Sequence, residues 1–219
     1  MLTVYQAAYE DKLFIVKQMV EKDPSLVQSV DEDGRTALHW AASGGHASIV
    51  EYLMNKGAIV NNPDKDAGWT PLMIAVAAGH EDVVKLLLPQ SDVNHQNESN
   101  HTALHYAASK NRIEICRLLL ASGANVNPLN GQKQTPLHRA ASGGYVHIME
   151  LLLSHKCRVN PRDSAGNTPL HLAVEEDHAN AARLLLQHHA DPDRLNNDGK
   201  SPIEIASPQL ASILFSANE

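Results

Sequence analysis

Apolar and small residues recur along this chain in two alternating patterns. In the first, Leu stands two residues after a Thr, and two small residues stand five and six after it. The copies are Thr36-Ala-Leu-His-Trp-Ala-Ala42, Thr70-Pro-Leu-Met-Ile-Ala-Val76, Thr102-Ala-Leu-His-Tyr-Ala-Ala108, Thr135-Pro-Leu-His-Arg-Ala-Ala141 and Thr168-Pro-Leu-His-Leu-Ala-Val174. A degenerate copy follows at Ser201-Pro-Ile-Glu-Ile-Ala206. The second pattern pairs Ile49-Val50 with Leu53, Val83-Val84 with Leu87, Ile115 with Leu119 and Ile148-Met149 with Leu152, and Ala181-Ala182 with Leu185 makes a thinner version. Spacings of three and four place each set on one face of a helix. Polar, Gly-containing stretches separate the pairs, so each unit reads as turn, helix, helix, loop. The Thr or Ser positions lie 34, 32, 33, 33 and 33 residues apart. A period this steady predicts one stacked array of a single repeated unit rather than two globular domains.

Each residue of the heptapeptide has a mechanical reading. Thr supplies an N-cap hydroxyl for an unpaired N–H of the first helical turn. Pro follows at the first helical position in four copies, where its missing N–H costs nothing. Leu and two small residues leave a face thin enough for close stacking. His39, His105, His138 and His171 share one position and are expected to hydrogen-bond, tying each turn to its neighbour. Gly34, Gly68, Gly166 and Gly199 share a turn position that wants positive φ. Asn100 fills that place in the fourth unit, and Lys133 in the fifth predicts a distorted turn. Gly57-Ala58 and Gly123-Ala124 mark left-handed helix ends, and Pro89-Gln90, one residue short, predicts a different loop.

The ends of the chain are atypical. Val4, Ala7 and Ala8 align with Leu38, Ala41 and Ala42, with Leu2 in place of the capping Thr. Leu13, Val16 and Val20 then supply a second helix, which Asp23-Pro24 breaks. At the other end Ile203, Ile205, Leu210, Ile213, Leu214 and Phe215 read as a closing cap, with Ser207-Pro208 between its two helices. The T-P-L-H-x-A core at this period resembles the ankyrin repeat over nearly the whole chain. That resemblance implies an all-α ankyrin-repeat solenoid of about seven stacked helix pairs, with no β-sheet beyond turn-tip pairing. It would be a single domain over 1–219, with 1–30 as N-terminal cap, 31–200 as five internal repeats and 201–219 as C-terminal cap.

Composition narrows the partners. With 25 Asp and Glu against 18 Lys and Arg, the net charge is −7, which argues against nucleic acid or an anionic membrane as main partner. No apolar run approaches the roughly 20 residues of a membrane span. Cys116 and Cys157 lie in separate repeats with no paired spacing, and no signal peptide is recognisable, so an intracellular, reduced protein is expected. Thirteen His invite a metal reading. His101 and His105 have i, i+4 spacing but straddle the Thr102 cap, and His188-His189 would diverge on a loop. No phosphate loop or nucleophile elbow is present. Neither an enzyme nor a cofactor or metal is expected.

What remains is a surface, formed by the residues just before each Thr and just after each small pair. These are Glu32, Asp33 and Arg35; Asp66 and Trp69; Ser109, Lys110 and Arg112; Arg139; and Glu175, Glu176 and Asp177. Their signs run mixed acidic, basic, then acidic. The bland reading is a solvated face with random charges. Trp69 speaks against it, because a Trp at a turn tip has no core to fill and exposed aromatics favour interfaces. Arg139 replaces the Trp40, Ile74, Tyr106 and Leu172 of the other repeats, so a cation there also calls for a partner.

At these positions the strings DEDGRTALHWAASGGH, DAGWTPL, HYAASKNR, HRAASGG and GNTPLHLA are similar to the gankyrin family, the non-ATPase proteasome regulatory subunits 10 and their fungal counterparts. The resemblance implies an assembly chaperone of the proteasome regulatory particle, cytoplasmic and nuclear, and monomeric when free. Its concave groove would hold the C-terminal domain of one AAA-ATPase subunit through complementary charge. Family contact positions map onto Asp33, Arg35, Asp66, Trp69, Lys110, Arg139 and Glu176, and Arg112 and Glu175 extend the same surface. A retinoblastoma-binding L-x-C-x-E motif known in the mammalian member is broken here, because Leu172-Ala-Val-Glu-Glu176 carries Val174 in place of Cys. A different ankyrin module, such as a cyclin-dependent-kinase binder or signalling adaptor, stays open.

Overall fold

The computed structural model describes residues 2–215. The last four residues of the expected closing cap, 216–219, and the Phe215 side chain lie outside the described residues. Among the described residues there are 14 α-helices and no strand. They are α1 (Val4–Tyr9), α2 (Leu13–Lys22), α3 (Ala37–Gly44), α4 (Ala47–Asn55), α5 (Pro71–Ala78), α6 (Glu81–Leu87), α7 (Ala103–Ser109), α8 (Ile113–Ala121), α9 (Pro136–Ser142), α10 (Val146–Ser154), α11 (Pro169–Glu175), α12 (Ala179–Gln187), α13 (Pro202–Ile205) and α14 (Pro208–Phe215).

They fall into two compact units, residues 1–103 with 121–124, and residues 104–120 with 125–219. In the first, α1, α3 and α5 stack side by side while α2, α4 and α6 form a second row behind them. In the second, α9, α11 and α13 stack in front of α10, α12 and α14. The small pairs make this closeness possible. Ala41, Ala42, Ala75, Ala107, Ala140, Ala141 and Ala173 have no accessible surface, and neither do Leu38 and Leu137 beside them. The apolar stripes of the second row, from Ile49, Val50 and Leu53 to Ala182 and Leu185, are equally closed. Leu210 in α14 is buried with them.

The first unit departs from its expected start. Thr3, not Leu2, caps α1: its hydroxyl accepts from Gln6 N–H at 3.1 Å, and Gln6 Oε1 accepts from Thr3 N–H at 3.1 Å. The reason is helix length. Thr3 and the left-handed Asp11 (φ 57°) are eight residues apart, whereas Thr36 and Gly45 (φ 76°) are nine apart. An alignment made from the helix end therefore slips by one at its start. In the third unit α6 runs into a 3-10 turn, Leu88–Gln90, as expected where Pro89-Gln90 replaces Gly-Ala.

Lys133 overturns the expectation of a distorted turn. It adopts φ 59°, its N–H reaches Asn130 O at 2.8 Å, and the turn keeps the form of its neighbours. The chain keeps the turn and carries the strain of a left-handed side chain, about 1–2 kcal/mol. Lys133→Gly is expected to raise stability by about 0.5–1 kcal/mol, the relief being partly offset by glycine's larger unfolded-state entropy. Urea denaturation checks this, and a loss of stability would contradict it.

Candidate functional site

Six turns are built on one column of side chains spaced 33 residues apart: Asp31, Asp64, Asn97, Asn130, Asp163 and Asn196. A short Asp or Asn side chain can fold back onto the backbone N–H groups that follow it, closing a tight turn. Asn130 takes the N–H of Gln132 and Gln134 at 3.0 and 2.9 Å, and Asp163 takes those of Ala165 and Asn167, both at 2.9 Å. Asn97 and Asn196 repeat the pattern, and Asp31 accepts from Arg35 N–H at 2.8 Å. Motif reading passes over this column because it looks for the heptapeptide and for glycine.

Two ladders of histidines fix the turns against the helices. Nδ1 of His39 accepts from Thr36 N–H at 3.0 Å, so the ring carries its proton on Nε2, which donates to Trp69 O at 3.2 Å in the next repeat. His138 and His171 do the same, with Nε2 donating to Asn167 O at 3.1 Å and Lys200 O at 3.2 Å. His105 Nε2 lies 2.9 Å from Gln134 O. The expected tie between neighbouring turns is therefore present. A second ladder points the other way: Nε2 of His46, His80 and His178 meets Tyr9 O, Ser43 O and Ser142 O at 2.6, 3.0 and 3.1 Å. Burial pushes His39, His138 and His171 below their ordinary pKa, and the carbonyl contacts and nearby carboxylates only partly oppose it.

In the first unit the structure brings together two of the sequence-predicted site residues, Arg35 and Trp69. They line one cleft of about 270 Å³ together with Trp40 and Ile74. Arg35 is held there by Asp64, whose side chain has no exposed surface. Its Nε and Nη2 both donate to Asp64 Oδ2 at 3.1 Å, while Asp64 Oδ1 accepts from Ala67 and Trp69 N–H at 3.2 and 2.9 Å. Burial opposes ionisation of Asp64, but the Trp69 and Ala67 N–H groups and the Arg35 guanidinium outweigh it and hold the carboxyl below its usual range. The same guanidinium lies 5.7 Å from the Trp40 ring centre. Asp64 carries no sequence motif of its own, yet it positions both Arg35 and Trp69. Asp33 and Asp66 stand exposed on successive turn tips, which are linked by Lys65 N–H donating to Asp33 O at 2.9 Å.

In the second unit the predicted residues occupy helix ends. Lys110 and Arg112 are exposed and flank the left-handed Asn111 (φ 55°) between α7 and α8. Glu175 ends α11 and Glu176 caps it, both exposed, ahead of Asp177, whose carboxylate accepts from Ser207 Oγ at 2.6 Å. Arg139 is half-buried, with Nη1 3.5 Å from Gln134 Oε1 of its own turn.

Among the described residues no three His, Cys, Asp or Glu side chains gather as metal ligands would. No described helix is long and apolar enough to cross a membrane. Cys116 and Cys157 are free and buried, and burial pushes their thiols up to about 12 and about 11.

Thr-capped helix pairs joined by such turns define a repeat scaffold that displays side chains at turn tips and helix ends. The chain belongs to the ankyrin-repeat family: the model for ankyrin repeats (3 copies) matches residues 4–97, 62–130, 82–163, 122–196 and 157–215. It is 36% identical over 126 residues to the probable 26S proteasome regulatory subunit p28 of Saccharomyces cerevisiae, covering 55% of each chain. It is 50% identical over 70 residues to the 26S proteasome non-ATPase regulatory subunit 10 of Homo sapiens, covering 32% of this chain and 30% of that one. The matches thus span about half of the yeast relative and under a third of the human one. The human ASB11 ankyrin repeat domain has the same fold, with TM-score 0.88 and 28% identity over 97% of this chain and 96% of that one. Family and fold together make this a scaffold of stacked ankyrin repeats.

Proposed function

We propose that this chain is an assembly chaperone of the proteasome regulatory particle, holding the C-terminal domain of one AAA-ATPase subunit against its turn tips and helix ends. Its main support is the likeness to proteasome regulatory subunits of yeast and human. Each unit offers its own contact set: Asp33, Arg35, Asp66 and Trp69 in the first, and Lys110, Arg112, Arg139, Glu175 and Glu176 in the second. Asp33, Asp66, Lys110, Glu175 and Glu176 are exposed, so their charge is available to a partner. Opposite-sign fields speed encounter and are screened over about 8 Å at physiological ionic strength, so association slows as salt rises. The chain would act in the cytoplasm and nucleus.

Capture of the tagged chain from its own cells, followed by mass spectrometry, is expected to recover one regulatory-particle ATPase. Recovery of a kinase or receptor with no ATPase would overturn the proposal in favour of a signalling adaptor.

A further inference from the structure

The Trp40 ring is a wall between two clefts of the first unit. One holds Arg35 and Trp69. The other, about 320 Å³, is lined by Tyr5, Tyr9, Glu10, Asp31 and the same Trp40, together with two uncharged residues. That volume lies at the low end of ligand-sized clefts, which run about 300–1,000 Å³. No basic side chain among the described residues lines it.

Its walls are fixed. Tyr9 and Trp40 stand nearly perpendicular, with ring centres 5.8 Å apart at 82°. Trp40 Nε1–H donates to Asp31 Oδ2 at 2.7 Å and Tyr5 Oη–H donates to Ser29 Oγ at 2.9 Å. Tyr9 nevertheless keeps 51% of its surface exposed. Aromatic rings at right angles with carboxylates beside them form a site for a cation, because the ring faces are electron-rich and the acids supply the counter-charge. The neighbouring cleft shows which cation suits the Trp40 ring, since the chain's own guanidinium occupies that side, paired with Asp64.

We propose that the Tyr5–Tyr9–Trp40 cleft binds an arginine side chain of the protein partner, stacked on the rings and neutralised by Glu10 and Asp31. This rests on the reading above only in assuming a protein partner. Arginine is favoured over lysine because its planar guanidinium is weakly hydrated and stacks on aromatic faces. Lys12 now pairs with Glu10 at 2.6 Å, both side chains being 46% exposed. Such an exposed pair is worth little and yields to a better-placed cation.

The test titrates N-acetyl-arginine methylamide into the full chain and follows the two indole N–H signals by NMR. A saturable shift at Trp40 is expected. The neutral citrulline derivative should bind at least about fivefold more weakly, as loss of a cation–π contact implies. Tyr9→Ala and Glu10→Gln should each weaken arginine binding, and Lys12→Ala should tighten it. Tyr9 and Glu10 are exposed, and the Trp69 signal reports that the fold of each variant is intact. Absence of a saturable shift, equal binding of citrulline, tighter binding of the lysine derivative, or indifference to Tyr9→Ala would each overturn the proposal. If arginine binds but no proteasome ATPase is captured from cells, the pocket stands and the chaperone reading falls. If an ATPase is captured and Tyr9→Ala leaves its affinity unchanged, the pocket falls and the chaperone reading stands.

Discussion

Arg35→Gln is expected to destabilise the chain by about 2–3 kcal/mol, before any partner is involved. Removing one partner of a buried ion pair typically costs about 3–5 kcal/mol, because the other charge is left uncompensated. Here the Asp64 side chain has no exposed surface, while that of Arg35 is 32% exposed, so solvent softens the loss. Two backbone N–H groups still serve Asp64, which softens it further. Asp64→Ala removes those acceptors as well and should be the more damaging change. Asp64→Asn should be milder, since Asn97, Asn130 and Asn196 close their own turns without a charge. The double variant Arg35→Gln/Asp64→Asn should cost less than the sum of its parts, because neither charge is then orphaned. Urea unfolding measures all four. An Arg35→Gln midpoint equal to that of wild type would contradict the structural role. Arg35 is consequently a poor probe of binding, since its loss would mimic loss of a contact.

Acidification is the second large effect. His39, His138 and His171 each need a neutral Nδ1 to accept a Thr N–H, and protonation sets a donor against a donor. Their folded pKa values lie below the ordinary 6.5 of the unfolded chain. Below pH 6.5 the unfolded state therefore binds more protons. The contribution of the ladder is fully present above that pH and is lost as pH falls toward the folded values. Each histidine contributes at most about 1.4 kcal/mol per pH unit, so three give a ceiling of about 4 kcal/mol per unit. A thermal midpoint that falls steadily from pH 7 to 5.5, with a shallower slope in His138→Gln, is expected. A flat profile would contradict the assigned tautomers. Asp64 adds its own loss only below the ordinary carboxylate range.

Much of the fold was legible because it repeats. Thr, Pro, Leu and the small pairs carry local instructions that need no long-range knowledge, and each buried where the periodicity placed it. Left-handed positions were legible where they held glycine and at Asn100 (φ 58°), which fills the glycine place of its turn. Lys133, Lys156 and His189 adopt the same conformation (φ 58–64°) because stacking fixes the backbone and overrides residue preference. The Asp/Asn column was written at a constant spacing but carries no apolar signal, and hydrophobic patterning is blind to it. The cleft was half legible. Trp69 marked it, but Asp64 could be assigned only once the turn brought it under Arg35, 29 residues away. Lys110 and Glu176 sit on helix ends as exposed side chains, where core packing places no demand on their sign. That is why they are candidates for recognition.

The proposed function requires this scaffold to bind a proteasome ATPase through these side chains. Calorimetric titration of each regulatory-particle ATPase C-terminal domain into the folded chain tests it most directly. Saturable binding of one domain is expected, weakened at least about 30-fold by Trp69→Ala if it is an interface anchor worth about 2 kcal/mol. Lys110→Glu and Glu176→Lys should weaken it in graded steps, and more so at low salt. Binding of no domain, or affinity unchanged by both Trp69→Ala and Glu176→Lys with their folds intact, would contradict it.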